Sequence, residues 1–136
     1  MIMSASEITE LMESSSLDAV KVTAEEFNMT LDFSVQSVAL VDDILLSFLD
    51  RYNEQALEEQ AVFTLCNLYG AYVGEVFRRN VGGDWVHEQK DNADFVFVSL
   101  HQHTYTFSGI CYERLVNDSN TSIMKYFAIA MENAKQ

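Results

Sequence analysis

The sequence predicts a single α+β domain in which helices come first, a small antiparallel sheet follows, and a last helix closes the chain. Three observations predict this fold class. Apolar residues recur with a helical period up to about position 77, strand-like alternation takes over between about 81 and 106, and a helical pattern returns from about position 121. Helices and strands that are segregated along a chain are typical of α+β proteins.

Two helices are predicted at the N-terminal end. The first is short, over residues 5–13, and it ends at the serines of positions 14–16 because serine favours caps and turns over helix interiors. Residues 1–16 are therefore expected to be peripheral to the domain. The second helix follows from Leu17 and closes near Asn28, a residue suited to a helix C-terminus.

Two longer helices are predicted next. Ser34 can cap a helix that reaches about Tyr52, with its apolar residues on one face. After a turn near Asn53, a long apolar pattern runs from Leu57 to Phe77. Since apolar residues surround much of this last helix, the pattern predicts the central, most buried helix of the domain.

The second half of the chain predicts two or three antiparallel strands and a C-terminal helix. The predicted pieces are a turn at 81–84, strands at 85–87 and 95–100 joined by a polar turn at 90–92, and an extension or third strand that carries His101, His103 and Tyr105. Residues 110–116 fit either a helix or a strand, and a helix is expected from about Thr121.

Length and composition predict one domain over residues 1–136. The chain is 49% apolar and 21% charged, which is typical of a globular protein and unlike a disordered one. The sequence contains no apolar run long enough to cross a bilayer, and its start lacks the features of a secretory signal. We therefore expect a cytoplasmic location. Cys66 and Cys111 are isolated and are interpreted as reduced core residues.

The net charge of −13 is concentrated in the N-terminal half. Residues 1–60 carry 13 acids and 2 bases, while residues 61–136 carry 8 acids and 6 bases. Such a field repels phosphate backbones and anionic lipids, so direct nucleic-acid and membrane binding are disfavoured, whereas a basic protein partner would be attracted. The acidity can serve solubility alone, or it can form a docking face, with Asp42, Asp43 and Asp50 as the candidate partner-face residues.

Two glycines stand out in the central helix. Gly70 and Gly74 lie four residues apart and hence on one face, and each costs about 1 kcal/mol of stability relative to alanine in a helix. Close approach of another helix or strand is the simplest reason for them, and a ligand against that face is the alternative. They do not form a phosphate-binding loop, because they lie within a helical pattern and no Gly-Lys-Ser/Thr follows.

An acidic residue and two arginines follow the glycines. Glu75 can pair with Arg78 or Arg79 along the helix, and an exposed pair of this kind contributes only about 0.3 to 0.5 kcal/mol. If the group is buried beside Trp85, it would fix how the helix and the sheet meet, or leave one arginine free to hold a carboxylate. We expect an anionic small ligand to contact Arg78 or Arg79.

These residues carry a resemblance to a known family. The matching motifs are Leu31-Asp32-Phe33-Ser34 with Ser37 and Asp42, then Gly70-x-Tyr72-x-Gly74-Glu75-x-x-Arg78-Arg79-Asn80, then Gly82-Gly83-x-Trp85. The chain resembles, over roughly residues 17–116, a family of small bacterial proteins known only as a domain of unknown function. That family has a proline-containing stretch where this chain reads Thr-Phe-Ser-Gly at 106–109. The resemblance implies a bacterial source and an α+β fold, and it implies no activity.

No catalytic or metal site is predicted. His101 and His103 would share one face of a strand and could bind a metal if His87 or Cys111 supplied a third ligand. No carboxylate or cysteine pair stands at metal spacing, so a surface histidine pair is the interpretation, and no cofactor is expected. No nucleophile elbow supports a hydrolase triad either.

The leading functional hypothesis is a non-enzymatic interaction module with an acidic helical face, either immunity-like or an adaptor, with homodimerisation left open. The alternative is a small-ligand sensor or enzyme whose pocket lies near Tyr72, Glu75, Arg78 and Trp85. A nucleic-acid mimic is a third hypothesis, because carboxylates can imitate the spacing of phosphates.

Overall fold

The computed structural model describes residues 2–54 and 58–135. The order of the elements is α1 (Ala5–Phe27), α2 (Ser37–Glu54), α3 (Glu59–Asn80), β1 (Asp84–Lys90), β2 (Ala93–Leu100), β3 (His103–Tyr105), α4 (Phe107–Tyr112), a π-helical turn (Glu113–Asn117) and α5 (Ile123–Ala134). The predicted α+β class, with helices first, a small antiparallel sheet and a closing helix, is confirmed. No helix of the described ranges is long and apolar enough to cross a membrane.

The first helix is continuous, so the predicted break at 14–16 is wrong. α1 runs through the serines because Ser16 is buried and donates its hydroxyl to the Glu13 carbonyl at 2.7 Å, which satisfies the hydroxyl inside the helix. Ile8, which precedes the serines, is 1% exposed and belongs to the core. The N-terminal segment therefore packs as part of one long amphipathic helix.

Polar side chains fix the ends of the first two helices. Ser4 and Glu7 form a capping box at the start of α1, a signal that the sequence analysis missed. Asn28 ends α1 with φ 54, as predicted for a C-terminal residue of this kind. Ser34 accepts the amide of Ser37 at 3.2 Å, which confirms it as the cap of α2.

The third helix is the central one, as predicted. α2 extends to Glu54, so the turn near Asn53 was predicted too early in the chain. The predicted start of the next helix at Leu57 lies outside the described residues. Every residue from 69 to 77 of α3 is buried. The aromatic ring of Phe77 packs at 5.2–5.8 Å from rings of β3, α4 and α5, so this helix joins the sheet to the C-terminal half.

The sheet is a three-stranded antiparallel meander in the order β1-β2-β3. Asp91 and Asn92 join β1 to β2 with φ 54 and 64, the left-handed pair that a two-residue hairpin turn needs. Trp85 pairs with Val98, and both side chains are buried on the face that packs against the helices. The opposite face is exposed to solvent in part.

The second hairpin corrects the histidine prediction. His101 and Gln102 form the turn between β2 and β3, with φ 51 and 70, and His103 alone belongs to β3. The two imidazoles therefore do not share a strand face. In the ranges 2–54 and 58–135, no group of three His, Cys, Asp or Glu side chains could hold a metal ion.

Candidate binding cleft

Both glycines of α3 allow close packing, as the spacing predicted. A Cβ on Gly70 would lie 2.5 Å from the backbone Cα of Ser108, so α4 could not approach an alanine there. A Cβ on Gly74 would overlap the indole ring of Trp85. The glycine face of α3 therefore seats one helix and one strand, and the cost of glycine in a helix is offset by this packing.

Glu75 is the centre of a buried network. Its carboxylate is 2% exposed, and its Oε2 accepts hydrogen bonds from Trp85 Nε1 at 2.8 Å and from Arg78 Nη1 at 2.5 Å. Arg79 Nε lies 3.6 Å from Oε1. Arg78 Nε also donates to the Gly83 carbonyl at 3.4 Å. The network ties the end of α3 to the start of β1, which is the buried one of the two arrangements that the sequence left open.

The other side of α3 holds the loop that precedes α2. Phe33 has φ 63, a strained conformation for an aromatic residue. Its amide donates to the Tyr72 hydroxyl at 2.8 Å, its carbonyl accepts from Asn80 at 3.1 Å, and the Arg79 guanidinium lies 3.7 Å from its ring centroid. Tyr72 also bonds Ser37 at 2.6 Å. Burial raises the pKa of Tyr72, so its hydroxyl stays protonated here.

A cleft of about 390 Å³ opens between α1, α3, α4 and the sheet. The residues that line it are Leu11, Met12, Ser15, Asn67, Gly70, Ala71, Trp85, Asp94, Val96 and Ser108. Of the predicted ligand residues, the structure brings together Gly70 and Trp85 at this cleft. Tyr72, Glu75, Arg78 and Arg79 do not line it. Gly74 does not line the cleft either, so the cleft is not the pocket that was predicted around Tyr72, Glu75, Arg78 and Trp85.

Asp94 supplies the negative charge of the cleft. Its Oδ1 lies 2.9 Å from His87 Nε2, and His87 Nδ1 accepts the Met3 amide at 2.9 Å. Because Nδ1 accepts, Nε2 carries the ring proton and donates to Asp94. This hydrogen bond lowers the pKa of Asp94, whose side chain is 64% exposed. The cleft therefore presents an ionised carboxylate at neutral pH.

Asp94 and the cleft residues of α1 are not among the ligand residues that the sequence predicts. The sequence predicts Leu11 and Met12 in a short peripheral helix and Ser15 in the break that follows it, whereas all three lie on one face of the continuous α1. Asp94 reaches the cleft because β2 pairs with β1 in a register that sets it beside Gln89, and both His87 and Gln89 are its hydrogen-bond partners. The alternation of β2, with Asp94 two residues before the cleft residue Val96, was the signal available in the sequence.

The three acidic residues of α2 that were predicted as a partner face, Asp42, Asp43 and Asp50, differ in their surroundings. Asp42 is 13% exposed and accepts the amides of Ile123 at 2.8 Å and Met124 at 3.0 Å, so it caps α5. Arg114 Nε lies 3.3 Å from the same carboxylate. Asp43 and Asp50 are exposed on α2. Asp42 therefore serves the docking of the C-terminal helix, and the other two carry surface charge.

The two thiols are buried and unbonded, in agreement with the prediction of core residues. Burial raises the pKa of Cys66 to about 11 and that of Cys111 well above its usual value. Both thiols are protonated at neutral pH, and neither is activated as a nucleophile.

Comparison with known proteins finds no relative. No protein-family model matches the chain, and neither the curated proteins nor the solved structures contain a significant match. The resemblance to a bacterial family therefore stays a prediction.

Proposed function

We propose that this protein is a non-enzymatic binding module whose cleft receives a lysine or arginine side chain of a basic protein partner. The observation that carries the proposal is the combination of an apolar cleft lining, which includes Ala71 and Trp85, with the ionised carboxylate of Asp94. None of the described residues that line the cleft is basic. Immunity-like and adaptor roles are both forms of this function.

The chemistry of the cleft suits a cation on an apolar stem. Lysine and arginine side chains bury their methylene groups against apolar surface while the charged end stays near water or a counter-ion. Leu11, Met12 and Val96 offer apolar contact, Trp85 offers an aromatic ring for a cation, and Asp94 offers the counter-ion. A volume of about 390 Å³ lies in the range that binds small molecules and large side chains.

The charge of α1 favours a basic partner at this site. Glu7 lies one turn before Leu11 and Asp18 one turn after Ser15, so both acids flank the cleft side of the helix, and both are exposed. The hydrogen bonds of the capping box lower the pKa of Glu7, which keeps it ionised. Carboxylates placed around a cleft steer cations towards it and raise their association rate.

Binding is favoured over catalysis by the state of the reactive groups. The thiols of Cys66 and Cys111 are protonated, and the buried carboxylate of Glu75 already has Arg78 and Trp85 as partners. Arg78 and Arg79 share this carboxylate, so an anionic ligand would have to compete with it. These observations support a site that holds a cation and performs no bond chemistry.

A free organic cation is the second candidate ligand, because the cleft volume fits a small molecule as well as a side chain. A sensor of this kind would bind the isolated amine or guanidine, whereas a protein-binding module needs the surrounding peptide. Affinity for a short basic peptide, compared with affinity for the free amino acid, separates the two.

The test is titration of arginine-containing peptides against Asp94→Asn, with Asp43→Asn as a control that removes one exposed carboxylate of α2. We expect the cleft variant to bind about tenfold more weakly, while the control binds like the wild type. Peptides with citrulline in place of arginine should lose binding to every form. Equal affinity of wild type and Asp94→Asn would contradict the proposal.

A further inference from the structure

An exposed aromatic pair, Phe63 and Tyr112, joins α3 to the end of α4. The two rings stack with their centroids 5.6 Å apart and an angle of 12° between their planes. Phe63 is 45% exposed, although its neighbours Val62 and Cys66 in the same helix are buried. The contact with Tyr112 therefore orients the ring of Phe63 without burying it. An exposed aromatic surface of this kind is suited to binding a partner.

The aromatic pair continues the cleft along both helices. Phe63 lies one turn before Asn67 of α3, which lines the cleft. Tyr112 lies one turn after Ser108 of α4, which also lines the cleft. Residues four apart on a helix share a face, so the cleft and the aromatic pair are two parts of one surface. Along the axis of α3, Phe63 is about 12 Å from the cleft residue Ala71, at about 1.5 Å per residue.

The charge around the aromatic pair is negative. Glu59 lies one turn before Phe63, Glu113 directly follows the tyrosine of the pair, and both glutamates are exposed. No lysine or arginine occurs in residues 59–77. Arg114 is 7% exposed and donates to main-chain carbonyls, so its charge is directed into the fold. The surface is therefore complementary in charge to a basic segment.

We propose that the aromatic pair binds an aromatic side chain of the same basic segment that places a lysine or arginine in the cleft. This inference rests on the proposed function and deepens it, because it names a second residue that the partner must carry. Four residues of an extended peptide span about 13 Å and bring their two end side chains to the same side. The partner segment therefore carries a basic and an aromatic residue four positions apart.

The stacked geometry favours an aromatic occupant. A partner ring that packs against Phe63 buries apolar area and adds an aromatic contact to it. Because Tyr112 already orients Phe63, the complex loses little side-chain entropy at this position. Once the basic residue is in the cleft, binding of the aromatic residue is intramolecular. Two weak contacts on one segment therefore give a stronger complex than either contact alone.

The test is titration of two peptides against the full chain. One peptide carries arginine and phenylalanine four positions apart in a glycine–serine background, in both orders, and the other carries alanine in place of phenylalanine. We expect the wild type to bind the phenylalanine peptide about tenfold more tightly in one of the two orders. Phe63→Ala should remove this difference and leave the affinity for the alanine peptide unchanged. Ile129→Ala, at a residue of α5 that is 62% exposed, is the matched control and should keep the difference.

Asp94→Asn separates this inference from the proposed function. The variant should weaken both peptides by the same factor and keep the difference between them, because Asp94 belongs to the cleft. If Asp94→Asn weakens both peptides while Phe63→Ala leaves their difference intact, the inference is wrong and the proposed function stands. Equal affinity of the wild type for the two peptides has the same meaning. If Asp94→Asn changes neither affinity, the proposed function fails, and the inference fails with it.

A second copy of this chain is the other occupant that the experiments distinguish. Sedimentation equilibrium of the wild type and of Phe63→Ala should give the same oligomeric state, which leaves the aromatic pair free for a partner. A wild-type dimer that dissociates in Phe63→Ala would make the pair a dimer contact and overturn the inference. Phe63→Leu keeps the test valid if alanine perturbs folding. It should reduce the difference between the peptides to about threefold, because apolar burial remains while the aromatic contact is lost.

Discussion

Trp85 contributes to two regions of this molecule, and each contains a carboxylate: a buried one in the first region and an exposed one in the second. On one side its indole nitrogen donates to Glu75, which is 2% exposed and shared with Arg78. On the other side Trp85 lines a cleft with Asp94, which is 64% exposed and accepts hydrogen bonds from the side chains of His87 and Gln89. The charge of Glu75 is balanced by Arg78 within the fold, whereas the carboxylate of Asp94 faces solvent and is accessible to a ligand. Burial together with partners, more than residue type, separates a structural acid from an available one.

The largest expected effect comes from breaking the buried region. Glu75→Ala would leave Arg78 and the indole of Trp85 without their acceptor, and removal of one partner from a buried pair typically costs several kcal/mol. Since Arg78 is 22% exposed, we expect a loss of about 3 kcal/mol in the free energy of unfolding, measured by urea denaturation.

Glu25→Ala is the matched control for that change, because Glu25 is an exposed glutamate inside α1. It should alter the free energy of unfolding by less than about 0.5 kcal/mol. If Glu75→Ala cost no more than this control, the buried network would not hold the helix to the sheet.

A smaller effect is expected at the cap of α5. Asp42→Ala removes the acceptor of the Ile123 and Met124 amides and the counter-ion of Arg114, so we expect destabilisation by about 2 kcal/mol. Asp43→Ala, at an exposed neighbour, should cost less than about 0.5 kcal/mol. Thermal denaturation of the pair measures the difference, and equal melting temperatures would show that Asp42 is only surface charge.

The smallest effect sharpens the account of Asp94. His87→Phe removes the donor that lowers the pKa of Asp94, so that pKa should rise towards its ordinary value near 3.8. A lowered folded-state pKa contributes stability above the unfolded value that is lost as pH falls through the folded value. The wild type should therefore keep its Asp94 charge, and its affinity for a cation, to a more acidic pH than His87→Phe. Carboxyl NMR titration measures the shift, and identical curves would contradict the hydrogen-bond explanation.

The fold could be predicted from the sequence where local patterns decide structure. The change from a helical period to alternation predicted where the sheet lies along the chain. The apolar residues around much of the helix that reaches Phe77 predicted α3 as the central helix. Local propensity failed at residues 14–16, since helical packing on both sides outweighs the preference of serine for turns. It also failed at His101, where positive φ in a two-residue turn replaces the expected strand.

The candidate site was predictable only in part, because its polar groups come together over long separations. The spacing of Gly70 and Gly74 indicated close packing, and the structure shows the cause at both positions. The capping of α5 by Asp42 joins residues about 80 positions apart, so no local sequence pattern predicts it. Asp94 likewise depends on strand register and on the ring orientation of His87. Such contacts follow from tertiary packing, which sequence periodicity does not encode.

Trp85 is the one tryptophan of the chain, and it lines the cleft while its ring edge rests against Gly74. Its intrinsic fluorescence therefore comes from a single, rigidly held indole at the proposed binding site. Emission from this residue should shift when the cleft exchanges water for a ligand, so the wild-type protein carries its own optical reporter and needs no label.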